Sequence, residues 1–155
     1  MFRRFGPQHW WPGRTPFEMM VGAILTQNTA WVNVERAIAN LRRAGLLSAR
    51  RLAVVSLARL EQAVRPSGYF RQKAARLQGF VRHLRDAWRY DWRAMLVRRP
   101  LTLAREELLS LHGVGPETAD SILLYAAGRP VFVIDAYTRR VCGRVGIGPR
   151  GDEFE

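Results

Sequence analysis

From Phe70 to Trp88 the apolar residues Phe70, Ala74, Leu77, Phe80, Val81, Leu84 and Trp88 fall at three- and four-residue steps and make one stripe along a helix. Arg71, Lys73, Arg76, Arg82 and Arg85 take most of the remaining positions, so this reading places them on the outer faces. The same period recurs through Phe17, Met20, Val21, Ile24 and Leu25, behind a Thr15 N-cap and a Pro16 at the first helical position. It returns through Val34, Ile38 and Leu41 between Trp31 and Arg43, stopping at Gly45. One or two short helices built on Leu52, Val55, Leu57, Leu60 and Val64 are expected between Ser48 and Arg65, where Arg65-Pro66-Ser67-Gly68 breaks them. Further helices are predicted at Trp92 to Val97, Leu103 to Leu111, Pro116 to Ala127 and about Asp135 to Val145. Only Val131 to Ile134 reads as a strand, and a single strand makes no sheet. The fold class is therefore all-α, with about eight or nine helices. Residues 1–15, rich in Gly, Pro, Arg and aromatics, are expected to form an irregular arm carrying Trp10, Trp11 and Pro12.

A chain of 155 residues is enough for one ordinary domain and buries roughly two thirds of its unfolded surface. With 48% hydrophobic and 25% charged residues it lies far from disordered or collagen-like compositions. Its charge does discriminate: 25 basic against 13 acidic residues leave +12, and the sequence pI is near 11.4. Such a surface suits a polyanion, nucleic acid first. Lys73 is the only lysine and the other 24 basic residues are arginines, so a side-chain Schiff base has Lys73 or nothing. Cys142 is the only cysteine; no internal disulfide and no multi-cysteine metal or iron–sulfur site can form from this sequence. No apolar run reaches the roughly 18 residues of a membrane span and no export signal follows Met1, so a cytoplasmic, intracellular protein is expected.

Chemistry concentrates in Leu111-His112-Gly113-Val114-Gly115-Pro116-Glu117-Thr118-Ala119-Asp120, between two predicted helices. Gly113 and Gly115 let the backbone turn sharply and approach another surface, while Val114 pins the turn into the helix pair. The following helix opens with unpaired N–H groups suited to a phosphate oxygen. A tight helix–helix turn with no ligand satisfies the same spacing. Asp135, ahead of the last helix, is a good N-cap whose charge the helix start would stabilise. His9, His83 and His112 have no spacing suited to a metal or a triad, and Trp88 and Trp92 read as packing residues.

The run LHGVGPETADSILLYAAGRPVFVIDAYTRRVCG, from Leu111 to Gly143, resembles the helix-hairpin-helix, Gly/Pro-rich loop and aspartate signature of the endonuclease III superfamily of DNA glycosylases. VGAILTQNTAWVNVERAI is similar to the family's early helix–loop–helix, and RPSGYFRQKAARL to the loop and helix that press on DNA. Trp10-Trp11-Pro12, the LTQNT run and RPSGYFRQKA point to the 3-methyladenine DNA glycosylase III branch. The likeness spans roughly residues 10–147 and rests on several motifs together.

This resemblance implies Asp135 as the catalytic aspartate, eighteen residues after Glu117. Bifunctional members carry their Schiff-base lysine where this chain has Glu117, and a carboxylate forms no imine, so β-lyase activity is not expected. The resemblance puts Trp10, Trp11, Pro12 and Trp31 around the extruded base, where electron-rich rings favour a cationic alkylated purine. Glu117 is either a further pocket residue or a complement to its helix N-terminus. Either Gln27 or Asn28 would fill the gap the base leaves, and Tyr69 would wedge beside the orphaned partner base. Lys73, Gly113, Val114, Gly115 and Thr118 would meet the DNA backbone.

The expectation is thus a monofunctional DNA N-glycosylase of base-excision repair, monomeric on double-stranded DNA, acting on alkylated purines. Its architecture would be a six-helix domain over 16–130, with the hairpin at about 103–127. Residues 1–15 and 131–155 would belong to a second, discontinuous helical domain that stops short of the family's usual C-terminus. No metal or cofactor is expected in this chain; a [4Fe-4S] cluster would need cysteines from a further C-terminal tail. The alternatives are an endonuclease III-type glycosylase/lyase for oxidised pyrimidines and a helix-hairpin-helix DNA-binding module without chemistry. Asp135 and the tryptophans separate these readings.

Overall fold

A computed structural model of the chain describes residues 2–6 and 11–147, and among them it is helical with no strand. The α-helices are α1 (Phe2–Phe5), α2 (Pro16–Leu25), α3 (Trp31–Arg43), α4 (Ala49–Val54), α5 (Leu57–Val64), α6 (Phe70–Trp88), α7 (Trp92–Leu96), α8 (Leu101–Leu109), α9 (Pro116–Ser121) and α10 (Ala136–Val145). A 3₁₀ turn, Arg65–Ser67, joins α5 to α6, and a π-helical turn, Ile122–Ala126, continues α9. The irregular arm expected over residues 1–15 thus contains one turn of helix, α1, and the segment from Ser48 to Arg65 resolves into two helices.

Local chemistry accounts for the boundaries. Thr15 Oγ1 accepts the Glu18 N–H at 3.2 Å, with Pro16 at the position where its missing N–H costs nothing. Ser48 caps α4 and Asp91 caps α7 in the same way. The stripe predicted on α6 forms the centre of the core: Ala74, Leu77, Val81 and Leu84 are fully buried and Phe80 nearly so. Met20, Val21, Ile24 and Leu25 of α2 and Leu52 and Leu60 of α4 and α5 complete it. Each such side chain contributes roughly 1.5–3 kcal/mol by leaving water.

Two expectations fail here. Val131 to Ile134 pairs with nothing as a strand, and Phe132 is 74% exposed. A β-branched run has no partner strand in a helical body, so its propensity is overridden. Lys73, expected outside, is 1% exposed and lies on the core face of α6. Its position, three residues after Phe70 and one before Ala74, puts it on the apolar stripe itself.

Candidate active-site cleft

The hairpin between α8 and α9 is braced before it presents anything. Arg105 makes a bidentate pair with Asp120, Nε to Oδ1 at 2.7 Å and Nη2 to Oδ2 at 3.1 Å, tying the two helices together. Val114 is 5% exposed and pins the turn from inside, as its spacing suggested. Gly113 has φ +79°, and a Cβ there would fall within 2.3–2.6 Å of the Arg76 side chain on α6. Only glycine tolerates both the dihedral and that approach.

Gln27, in the α2–α3 loop, locks this junction. Its Nε2 donates to the Gly113 carbonyl and to Thr118 Oγ1, each at 3.0 Å, and its Oε1 accepts from Arg76 Nη1 at 2.5 Å. Asn28, beside it, is exposed and left-handed at φ +52°. Both ends of the Gln27 amide are therefore engaged, and Asn28 is the one of the two that projects outward.

A cleft of about 560 Å³ opens in front of this junction, lined by Ala23, Thr26, Gln27, Asn28, Gly113, Gly115, Pro116, Glu117, Thr118 and Ser121 on one side. Ile134, Ala136 and Arg139 line the other. Asp135 sits between two of these residues as N-cap of α10, where its Oδ1 accepts the Thr138 N–H at 2.6 Å. The capping role read from its position is realised. Glu117 faces the same space. Confinement by the cleft walls raises its carboxyl pKa above the usual range, the negative charge of Asp135 adds to that, and Arg139 opposes it. Two carboxyl groups thus lie close enough to interact, one lining the cleft and one at its edge, in a chain of net charge +12.

The aromatic candidates gather next to it. Trp11 meets Trp31 edge-on at 5.2 Å between ring centroids and stacks on Tyr125 at 4.6 Å. Both indoles pack over Gly22, whose hydrogen leaves room that a Cβ would take, 3.2 Å from Trp31. The cluster adjoins the cleft along two elements: Gly22 precedes the cleft residue Ala23, and Tyr125 lies one turn after the cleft residue Ser121. Trp31 also lines a second cavity of about 170 Å³ with Pro12, Gly13, Arg14, Glu18, Glu35, Ile38 and Arg42. There Glu18, 6% exposed, holds Arg42 through both carboxylate oxygens at 2.9 and 3.0 Å. Among the described residues the buried Trp31 Nε1 has no hydrogen-bond partner.

The structure therefore brings Gln27, Asn28, Gly113, Gly115, Glu117 and Thr118 to one cleft with Asp135 at its edge, and sets Pro12 and Trp31 in a neighbouring cavity. Trp10 lies outside the described residues, as does His9. Thr118 is 7% exposed and spends its hydroxyl on Gln27, so its side chain does not face outward. Tyr69 is 68% exposed at the head of α6 and lines no part of the cleft. Lys73 is a correction: its Nζ donates to the Ser67 carbonyl at 2.5 Å inside the core and reaches no phosphate-facing surface. Trp88 and Trp92 pack against the core as expected, and His83 pairs with Glu107 at 2.8 Å. Arg76, Arg139 and Tyr125 escaped the sequence reading; Arg139, one helical turn after Asp135, was detectable from spacing.

Residues 21–153 match the HhH-GPD superfamily of base excision DNA repair proteins. Among curated proteins, the chain is 45% identical over 143 residues to a protein of Methanocaldococcus jannaschii provisionally named a DNA repair glycosylase, covering 92% of this chain and 65% of that one. It is 31% identical to the endonuclease III of Thermotoga maritima, covering 84% and 57%. Among solved structures it superposes on the 3-methyladenine DNA glycosylase of Helicobacter pylori bound to 1,N6-ethenoadenine with a TM-score of 0.82 at 33% identity, covering 91% of this chain and 66% of that one. An endonuclease III–DNA complex gives a TM-score of 0.79 at 27% identity, covering 97% and 66%. The chain spans about two thirds or less of the length of each of these relatives.

Proposed function

This chain belongs to the HhH-GPD superfamily of base excision DNA repair proteins, and we propose that within it the chain acts as a monofunctional DNA N-glycosylase whose substrates are alkylated purines in double-stranded DNA. The observation that carries the proposal is the pair of carboxyl groups, Glu117 lining the cleft between the hairpin and α10 and Asp135 at its edge, close enough to raise the Glu117 pKa, in a chain of net charge +12. Likeness to an endonuclease III solved on DNA supports a duplex partner.

The chemistry follows from the cleft. A base cannot be attacked within the stack, so the nucleotide rotates out and presents its C1′ atom to the protein. As the bond from C1′ to the base nitrogen lengthens, its electron pair leaves with the base and the sugar becomes cationic. In this reading the Asp135 carboxylate, which accepts the Thr138 N–H, stabilises that charge. It also orients the water whose oxygen bonds to C1′ and takes the proton that water loses. Glu117, whose carboxyl pKa is raised by burial and by the charge of Asp135 and opposed by Arg139, lines the same cleft. Neither carboxyl can form an imine. Lys73, the one side-chain amine, is committed to the Ser67 carbonyl.

For the substrate class, the support is aromatic: Trp11 and Trp31 meet edge-on at 5.2 Å beside the cleft, and electron-rich indoles suit a flat cationic base. The relative bound to 1,N6-ethenoadenine supports a modified purine.

Duplexes carrying single lesions test this reading. Methylated purines are expected to be released, leaving strands that break only after alkali, with no adduct on borohydride treatment. Strand cleavage without alkali, together with a borohydride-trapped adduct, would establish a glycosylase/lyase instead. Trp31→Ala should lose about 1–3 kcal/mol of excision while binding undamaged duplex normally, because stacking counts only when a base is extruded.

A further inference from the structure

The most deeply buried ionisable side chain among the described residues, Lys73, has no part in the chemistry proposed above. Lys73 is 1% exposed, lies among Ala74, Leu77 and the rest of the α6 stripe, and sits close enough to Arg76 to feel its charge. Burial and that neighbour lower its amine pKa to about 8. A methionine there would fill similar space without desolvating a charge, and replacing buried charges by apolar residues is often neutral or stabilising. What the amine supplies is a contact that methionine cannot make.

That contact is one half of a bracket. The Lys73 side chain donates from Nζ to the carbonyl of Ser67 at 2.5 Å, and its backbone N–H donates to the carbonyl of Tyr69 at 3.1 Å. Between those two carbonyls the chain makes two consecutive left-handed steps, Gly68 at φ +66° and Tyr69 at φ +43°. For tyrosine this conformation is sparsely populated and persists only where surrounding contacts over-determine it. Ser67 itself is fully buried and its Oγ donates to the Val64 carbonyl at 2.7 Å, anchoring the near end. The product of all this restraint is a tyrosine ring 68% exposed, next in sequence to Phe70, whose ring the guanidinium groups of Arg65 and Arg71 approach at 5.9 and 5.8 Å.

We infer that Lys73 is a positioning residue whose side-chain amine clamps the Ser67 carbonyl and thereby holds the Tyr69 ring outward, ready to enter a DNA duplex. The second half of this statement rests on the glycosylase reading; the clamp itself does not. An aromatic whose backbone is already fixed loses less freedom on binding, which favours unstacking over mere adhesion.

Lys73→Met in the full chain separates the two halves. In the free protein, amide exchange at Gly68 is expected to quicken at least tenfold while Tm stays level or rises. On a duplex with 2-aminopurine next to a lesion, the fluorescence rise on unstacking is expected to shrink about fivefold or more, with binding to undamaged duplex changed less than twofold. Tyr69→Ala should show the same unstacking defect, and the double variant should be no worse than Tyr69→Ala alone. Lys73→Gln, which keeps a shorter donor without the charge, should fall between wild type and Lys73→Met; it also serves if Lys73→Met does not fold. Unchanged exchange in a folded Lys73→Met protein overturns the clamp. Additive losses in the double variant overturn the route through Tyr69. Faster exchange combined with normal unstacking by Tyr69→Ala leaves the clamp standing and removes its role on DNA, against the reading of this loop as duplex-facing.

Discussion

The cleft has two walls held in opposite ways. Its hairpin wall is part of the core: Val114, Thr118, Ala119, Asp120, Ser121 and Ile122 are all buried, and Gln27 and Arg76 tie it to α2 and α6. The wall formed by residues 131–147 buries none of the residues of α10, and leaves Phe132, Tyr137, Val141, Val145 and Ile147 between 52% and 74% exposed. Yet it carries Asp135. Charge placement and stability are thus separated in this molecule, because a carboxylate fixed by a local helix cap needs little packing around it. The hairpin wall, made of long-range contacts, cannot change without the core noticing.

The comparison is broken most easily at Asp135. Asp135→Asn keeps the size and much of the cap while deleting the charge, so single-turnover base release should fall about 10²–10⁴-fold. Unfolding free energy should move by less than about 1 kcal/mol in the same protein. A large loss of stability would show that the arm is packed more firmly than its exposure indicates. On the opposite wall, Ile122→Ala should cost roughly 2–5 kcal/mol in denaturant unfolding, since Ile122 is fully buried and leaves a cavity.

Titration sharpens the contrast further. Below pH about 8 the Lys73 amine is protonated both folded and unfolded, and folding bears the cost of burying it. Above that pH the folded chain releases the proton while the unfolded chain, with its ordinary value of 10.5, retains it. The unfolded state then binds more protons, so stability should rise with pH between about 8 and 10, by at most on the order of 3 kcal/mol. Chemical unfolding at stepped pH should show the rise in wild type, and Lys73→Met should flatten it. The smallest effect is expected on the arm: Val141→Ala, on the exposed face of α10, should change stability by about 0.5 kcal/mol or less.

Much of the fold was legible because its signals are local. Thr15 and Asp135 read as N-caps and act as N-caps; the α6 stripe read as core and is core. The HhH hairpin announced itself through two glycines around a valine, and each does in space what its size suggests. Lys73 was misplaced for an instructive reason. Residue type argued for the surface, whereas its helical position, between Phe70 and Ala74, argued for the interior, and position prevailed through a backbone partner that only the fold supplies. Gln27 was identified as belonging to the site, yet its commitments to Gly113, Thr118 and Arg76 could not be read.

Helix periods, caps, turns, a +12 charge and the want of an amine at Glu117 were settled by the order of residues alone, because each depends on neighbours within a turn or on a count. Tertiary structure alone decided that Asp135 comes close enough to act on Glu117, that Trp11 finds Tyr125, and that Gln27 reaches Gly113 across 86 positions. Those contacts arise from packing helices whose periodicity states which face is apolar but not which other face it meets, so the meeting of side chains distant in sequence emerges only when the core closes.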